Sequence, residues 1–194
     1  SQFQRVNNDE FPRLINYLEN ATTTNNREHA LKIQIQNAYN LPYQQLLATV
    51  SSTQNADGGF GLDAGYGSDA LSTLYVLHTY EATNQPVAPL LYYILNQVEP
   101  DGAMRFTTSS DPSYYLVNKT LESLAPYRGM TVGDPGNPAN TFSIDAKIAA
   151  LLTFLVTRYD PAAQTLLACP HDALPSKVLR PLICAPYRHQ PRKS

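Results

Sequence analysis

Gln54–Ser68 reads QNADGGFGLDAGYGS, with five glycines in fifteen residues. Glycine takes the left-handed backbone at no steric cost, so this composition reads as a long ordered turn. Apolar residues at helical spacing bound it on both sides. Upstream, Pro42 opens a helix with Leu46, Leu47 and Val50 on its inner face. Downstream, Ser68 or Asp69 caps a helix whose apolar face holds Leu71, Leu74 and Leu77, with Tyr75 beside them. A second turn, Gln97–Met104, reads QVEPDGAM. Asp57 aligns with Asp101 and Gly58 with Gly102 at a period of 44, while Gln54 and Gln97 stand one residue out of step. Each turn follows an apolar helix and precedes a second, capped one. A period of this size means one helical hairpin per repeat, each needing neighbours to complete its core.

Working outward, helical periodicity persists and no sustained alternation argues for a sheet. A first helix is expected over about Asp9–Glu19, with Phe11, Leu14, Ile15 and Leu18 on one face, and a second over about Arg27–Ala38. Pro86 and Pro89 start a fifth, and Asp111-Pro112 reads as the cap and first residue of a sixth. Arg128–Thr141, rich in Gly, Pro and Asn, reads as a loop. Ser143 caps a seventh helix, Ile144–Tyr159, which reads as a third helix of the repeat's capped kind. One short helix is expected near Leu174–Leu182. The chain thus divides into a helical repeat domain, residues 1–168, and a Pro-rich appendage, residues 169–194.

Composition limits the function. The 194 residues are 43% hydrophobic and 15% charged, which suits a globular domain and not a disordered one. Net charge is −2 and the one basic cluster, Arg188–Lys193, reads as a solvated tail, so a phosphate-tracking nucleic-acid face is not expected. Ile148–Val156 is too short an apolar run to span a membrane. Few lysines and many Tyr, Asn, Gln and Thr lean toward a secreted, periplasmic or cell-surface protein, and Ser1–Glu10 does not read as a signal peptide. Cys169 and Cys184, 15 residues apart, suggest a disulfide with a model stabilisation of about 3 kcal/mol. Two free thiols are the bland alternative, and zinc held by these cysteines with His171 and His189 lacks the usual spacing. No metal or cofactor is expected.

The string QNADGGFG followed by a polar loop and a helix opening Ser68-Asp69 resembles the prenyltransferase and squalene-cyclase type of repeat, over about Leu41–Tyr127. The resemblance implies an all-α fold of helical hairpins of the α/α-toroid type. Helices opening at Asp69 and Asp111 would be inner, and those ending at Gln54 and Gln97 outer. A closed toroid needs about twice the hairpins present, so an incomplete toroid of seven or eight helices is implied. The chain lacks tryptophan, the usual aromatic of the cyclase repeats. In this frame Gln54, Asp57, Gly58, Gly59, Phe60, Asp101 and Gly102 are structural. Gln54 bonds the next turn's backbone, Asp57 closes its own turn, and Phe60 covers the glutamine.

The family's chemistries leave no trace. There is no DxDD run, in which neighbouring carboxylates hold one another protonated, no GCGEQ thioester, and no Asp, Cys and His zinc set within the repeats. No nucleophile elbow, P-loop or dinucleotide fingerprint occurs. Acid/base chemistry could still be assembled from Asp63, Asp69, Asp111 and Asp145 if helix starts converge, although helix capping accounts for the last three as well. His78 is the best single catalytic candidate, and a hydrogen-bonded histidine packed near Tyr75 is its structural alternative. Tyr66, Tyr75, Tyr114 and Tyr115, if they face a concave surface, suit stacking on sugar rings or on an apolar chain, with core packing as the alternative. Asn20-Ala21-Thr22 and Asn118-Lys119-Thr120 match the glycosylation sequon.

The expectation is therefore a non-catalytic exported repeat module that binds a ligand or protein partner on its concave face. A further copy meeting open hairpin ends is the alternative partner. The other reading is an enzyme, of lyase, hydrolase or cyclase type, acting on a glycan or isoprenoid-like substrate.

Overall fold

The structure, a computed structural model, describes residues 10–107, 109–160 and 165–166. Cys169, Cys184, His171, His189, the short helix near Leu174–Leu182, the basic tail and the appendage lie outside the described residues, as do the side chains of Phe11, Leu14 and Leu18. The described chain is mostly helical. It comprises α1 (Glu10–Asn20), α2 (Asn26–Ala38), α3 (Gln44–Ser51), α4 (Ala70–Ala82), α5 (Ala88–Gln97), α6 (Tyr114–Leu124) and α7 (Ile144–Thr157). Two two-stranded antiparallel sheets complete it, β1 (Thr131–Asp134) with β2 (Asn137–Ser143), and β3 (Tyr159–Asp160) with β4 (Thr165–Leu166).

Helices α2, α4 and α6 lie side by side, α4 between the other two. Each also packs on the helix that follows it, α3, α5 and α7 respectively. The first three run parallel, because the cross-links between them keep a nearly constant offset. Arg27 reaches Asp69 and Ser72, Gln34 reaches Thr79, and Asn37 reaches the Ala82 carbonyl. His78 then reaches Ser123, and Tyr127 reaches Glu81. Between the two rows lies the core, with Ile33, Phe60, Leu77, Ile94, Leu116 and Phe154 almost fully buried.

The two glycine turns share the bonds that close them. The Asn55 N–H donates to the Gly59 carbonyl at 3.0 Å, as Glu99 does to Ala103 at 3.0 Å. Asp57 Oδ1 accepts the Gly59 N–H at 3.0 Å, and Asp101 Oδ1 accepts the Ala103 N–H at 3.0 Å. The Phe60 carbonyl then receives Asp69 N–H at 3.0 Å, and the Met104 carbonyl receives Ser113 N–H at 2.7 Å, which fixes where the next helix starts. Gly58 and Gly102 both have φ +83°. A side chain at Gly58 would stand 2.7 Å from the Pro89 carbonyl oxygen, and one at Gly102 would strike the Ala150 carbonyl. Each turn therefore lies flat against the following second-row helix, and only glycine permits both the dihedral and the approach. Gln54 donates to the Gly58 carbonyl at 2.9 Å.

The repeat extends in the other direction from the one the helix pattern suggests. The N-caps of α2, α4 and α6 are Asn25, Asp69 and Ser113, each 44 residues after the last, and each side chain accepts an N–H three residues on. The C-terminal ends of α2 and α4 agree as well: Asn40 and Asn84 both have φ 56°. After them Leu41 N–H reaches the Gln36 carbonyl, and Gln85 N–H reaches the Tyr80 carbonyl, at 2.8 Å in both. Asparagine tolerates this left-handed position better than other side chains do. Thus α2, and not α7, is the third member of the capped row. Ser143 caps α7 only 30 residues after Ser113, and α7 packs on α6 from the other row.

Three further expectations change. Ser113, and not Asp111, caps α6, because the preceding turn delivers the Ser113 N–H to the Met104 carbonyl. Helix α7 stops at Thr157, before β3. Residues 128–141 are not simply a loop. Val132 pairs with Phe142 and Thr131 with Ser143, and only Asp134-Pro135-Gly136-Asn137 forms the turn, closed by a 2.7 Å bond from Gly136 N–H to Asp134 Oδ1. Phe142 stacks on Tyr92 of α5 at 5.4 Å between centroids, and Tyr92 also donates to Asp134 at 3.0 Å. The hairpin is an insertion that delays α7 by folding over α5.

Candidate functional site

Along α4, Leu71, Tyr75, His78, Glu81 and Ala82 are the positions left at least partly open, and Leu71, Tyr75, His78 and Ala82 are spaced as one helical stripe. The 44-residue offset carries this stripe to its neighbours. On α2 it falls on Arg27, Leu31, Gln34 and Ala38, and on α6 and just beyond it on Tyr115, Lys119, Glu122 and Pro126. Among the described residues, no element lies over this face. Leu31 is 45% and Tyr115 46% exposed, high values for side chains of that size in packed helices.

The centre of the face is aromatic and polar. Tyr75 and Tyr115 are neighbours on this face, and burial, with the Tyr75 hydroxyl close by, raises the Tyr115 pKa. Lys119 pairs with Glu122 at 3.1 Å, and hydrogen bonding to that carboxylate holds the ammonium pKa above the ordinary lysine value. Such an exposed i,i+3 pair adds little stability and leaves both groups able to exchange partners. Two phenol rings, a cation, a carboxylate and the edge of His78 thus share one open surface beside Leu71.

His78 has a suggestive setting. Its Nδ1 lies 3.1 Å from Glu81 Oε2 and its Nε2 lies 3.0 Å from Ser123 Oγ, the linear order of a Ser-His-acid triad. Chemistry does not follow. Ser123 is 1% exposed, so no substrate carbonyl can reach its Oγ. That hydroxyl also lies 2.8 Å from the Lys119 carbonyl, a second acceptor that competes with Nε2 for its one proton. The 44-residue offset supplies the structural account, because His78 and Ser123 stand where Gln34 and Thr79 stand one hairpin earlier, also bonded at 3.0 Å. A neutral amide does the same work there. Burial alone would raise the Glu81 carboxyl, but hydrogen bonds from His78 and Tyr127, with the charge of His78, outweigh it and hold the pKa below the glutamate value. In return, burial and the Glu81 carboxylate push Tyr127 far up.

The remaining candidates are scattered. Asp69 caps α4 through the Ser72 N–H at 2.7 Å and pairs with Arg27 at 2.9 Å. It stands nine residues before His78 on one helix, about 13 Å away along the axis, too far to act with it. Asp111 is exposed in the loop before α6, Asp63 closes its own turn onto Ala64, and Asp145 accepts the Gly129 N–H. Of the four tyrosines, Tyr75 and Tyr115 are brought together on the open face. Tyr114 turns inward onto Phe154 at 5.6 Å, and Tyr66 stands 60% exposed in the glycine loop at the helix starts. Among the described residues no group of three or more His, Cys, Asp or Glu is placed to hold a metal, and no helix is long and apolar enough to cross a membrane.

Leu31, Gln34, Leu71, Lys119 and Glu122 of this face are not picked out by motif. The signal for them is the 44-residue offset, once it is applied to helix positions as well as to turns. Comparison with known proteins adds no name to the site: no family model, curated protein or solved structure matches the chain.

Proposed function

We propose that this protein is a non-catalytic, exported helical-repeat module that binds a glycan on the open face of α2, α4 and α6, the concave side of an incomplete α/α-toroid. The observation that carries the reading is the pairing of half-buried Tyr75 with exposed Tyr115 beside Lys119 and Glu122. Aromatic rings offer sugar C–H faces a flat apolar platform, while hydroxyl, ammonium and carboxylate groups at the rim meet sugar hydroxyls. The repeat's resemblance to the prenyltransferase and squalene-cyclase type, in a chain without that group's catalytic motifs, favours binding over turnover. Export fits the composition and the exposed sequon asparagines Asn20 and Asn118, and a Cys169–Cys184 disulfide would suit the same compartment.

A second reading, an enzyme acting on a glycan or isoprenoid-like substrate, has the Glu81–His78–Ser123 row in its favour. The burial of Ser123 argues against it. The test is an array of neutral and anionic oligosaccharides probed with the full chain and with a Tyr75→Ala/Tyr115→Ala variant. Binding by the parent that falls at least tenfold in the variant is expected. Retention of every signal by the variant, or no signal from the parent, refutes the proposal.

A further inference from the structure

Helices α4 and α6 start in the same way, yet the space behind the first residue is filled in one and open in the other. Gly58 lies against the Pro89 backbone of α5 and Gly102 against the Ala150 backbone of α7, so these two helices correspond at an offset of 61 residues. By that offset Tyr93 of α5 matches Phe154 of α7. In the second hairpin Tyr114, the first residue of α6, lays its ring on Phe154 at 5.6 Å between centroids. The first residue of α4, 44 positions earlier, is Ala70, which has no ring to offer Tyr93. Between them is a cavity of about 190 Å³, lined by Asp69, Ala70, Tyr93, Gln97, Glu99 and Arg105.

The groups around the cavity set what it accepts. Tyr93 is 7% exposed, and its ring sits so close to the first glycine turn that a Cβ on Gly59 would stand 2.8 Å from it. Its hydroxyl, the one atom that Phe154 lacks, has no hydrogen-bond partner among the described residues. Burial, with the charges of Asp57 and Asp69 nearby, pushes the phenol pKa far up, so the hydroxyl keeps its proton as a donor. A buried hydroxyl without a partner is costly. The charged groups of the lining, by contrast, are already paired, Asp69 with Arg27 at 2.9 Å and Glu99 with Arg105 at 2.8 Å. Their carboxylates keep lone pairs that can accept from O–H donors. This balance suits a neutral ligand rich in hydroxyls, not an ion, and the volume is that of about six liquid waters.

We propose that the cavity between Ala70 and Tyr93 is a second binding site, for a free neutral polyol of monosaccharide size. The Tyr93 hydroxyl donates to a ligand oxygen, and the Gln97 amide and the Asp69 and Glu99 carboxylates meet the ligand's hydroxyls. Ala70 makes the room, and the hydroxyl of Tyr93 supplies the polar contact that Phe154 cannot. This goes beyond the glycan reading and does not depend on it, since the cavity shares no residue with the Tyr75–Tyr115 face.

Saturation-transfer NMR of the full chain tests it with glucose, galactose, mannose, myo-inositol and sorbitol, each titrated to about 10 mM. A ligand this small is expected to bind with a dissociation constant of about 1 mM. Ala70→Tyr puts into the cavity the ring that Tyr114 places at the same point of the next hairpin, so it should abolish the signal while circular-dichroism melts stay at least as high as the parent's. Tyr93→Phe removes only the hydroxyl, keeps the ring that Phe154 shows the fold accepts, and should weaken binding about fivefold. The Tyr75→Ala/Tyr115→Ala variant should bind the same compound as the parent does. A parent that binds no compound of the panel overturns the proposal, as it would if other residues of the same chain already occupied the cavity. Binding that survives Ala70→Tyr, or that is unchanged in Tyr93→Phe, overturns it too. So does binding lost in the Tyr75→Ala/Tyr115→Ala variant, which would assign the signal to the open face.

Discussion

Replacing Gly102 by alanine separates two costs that glycine ordinarily hides together. The residue sits at φ +83°, where an L side chain loses about 1–2 kcal/mol to its own backbone. The new Cβ would also strike the Ala150 carbonyl of α7, a backbone atom held in a helix. Relieving that contact means moving α7 off the turn and loosening the buried Leu151, and overpacking of this sort costs about 1–3 kcal/mol more. Gly129 is the internal control. Its φ is +79°, yet an added Cβ meets nothing within 4 Å. Gly129→Ala should therefore cost about 1–2 kcal/mol and Gly102→Ala about 2–5 kcal/mol. Urea unfolding followed by circular dichroism reads both, with an unchanged denaturant slope showing that stability alone has moved. Equal losses at the two positions would refute the argument that the turn is pinned flat against the next helix.

Asp69→Ala removes a helix cap and the partner of Arg27. A loss of about 1–2 kcal/mol is expected, most of it restored by Asp69→Asn, which keeps the cap; a urea series on the three proteins checks this. Glu81 has its folded pKa lowered, so its contribution is fully present above the unfolded glutamate value of 4.5 and is lost as pH falls through the lower folded value. Thermal melts of Glu81→Gln should accordingly be less acid-sensitive than those of the parent below that pH. Ser123 should remain unlabelled by a fluorophosphonate probe in the folded protein, as read by intact-mass spectrometry; stoichiometric labelling would restore the hydrolase reading.

The hairpins were legible because their turns carry a chemistry that little else can satisfy. Asp57-Gly58 and Asp101-Gly102 announce the same loop, and α4 and α5 follow from it. The first copy was hidden by substitution among equivalents. Asn25, Asp69 and Ser113 all accept the same N–H, and no identity search links them. The β-hairpin was hidden by its turn, whose Pro, Gly and Asn mask the alternation of Val132 and Phe142 around it. Tyr75 and Tyr115 were named only within a set of four with Tyr66 and Tyr114, because adjacent helix positions differ by only about 100° and one register decides whether Tyr114 or Tyr115 meets the core. The row of Glu81, His78 and Ser123 joins two helices at a separation that no motif records.

The central claim is that the uncovered face of α2, α4 and α6 is the binding surface. Backbone amide shifts of the full chain, titrated with a pool of soluble neutral hexasaccharides, test it most directly. The account predicts perturbations clustered at Leu71, Tyr75, His78, Tyr115, Lys119 and Glu122, and abolished by Tyr75→Ala/Tyr115→Ala. Shifts confined to the glycine loop around Tyr66, or a double variant that responds as the parent does, would contradict it.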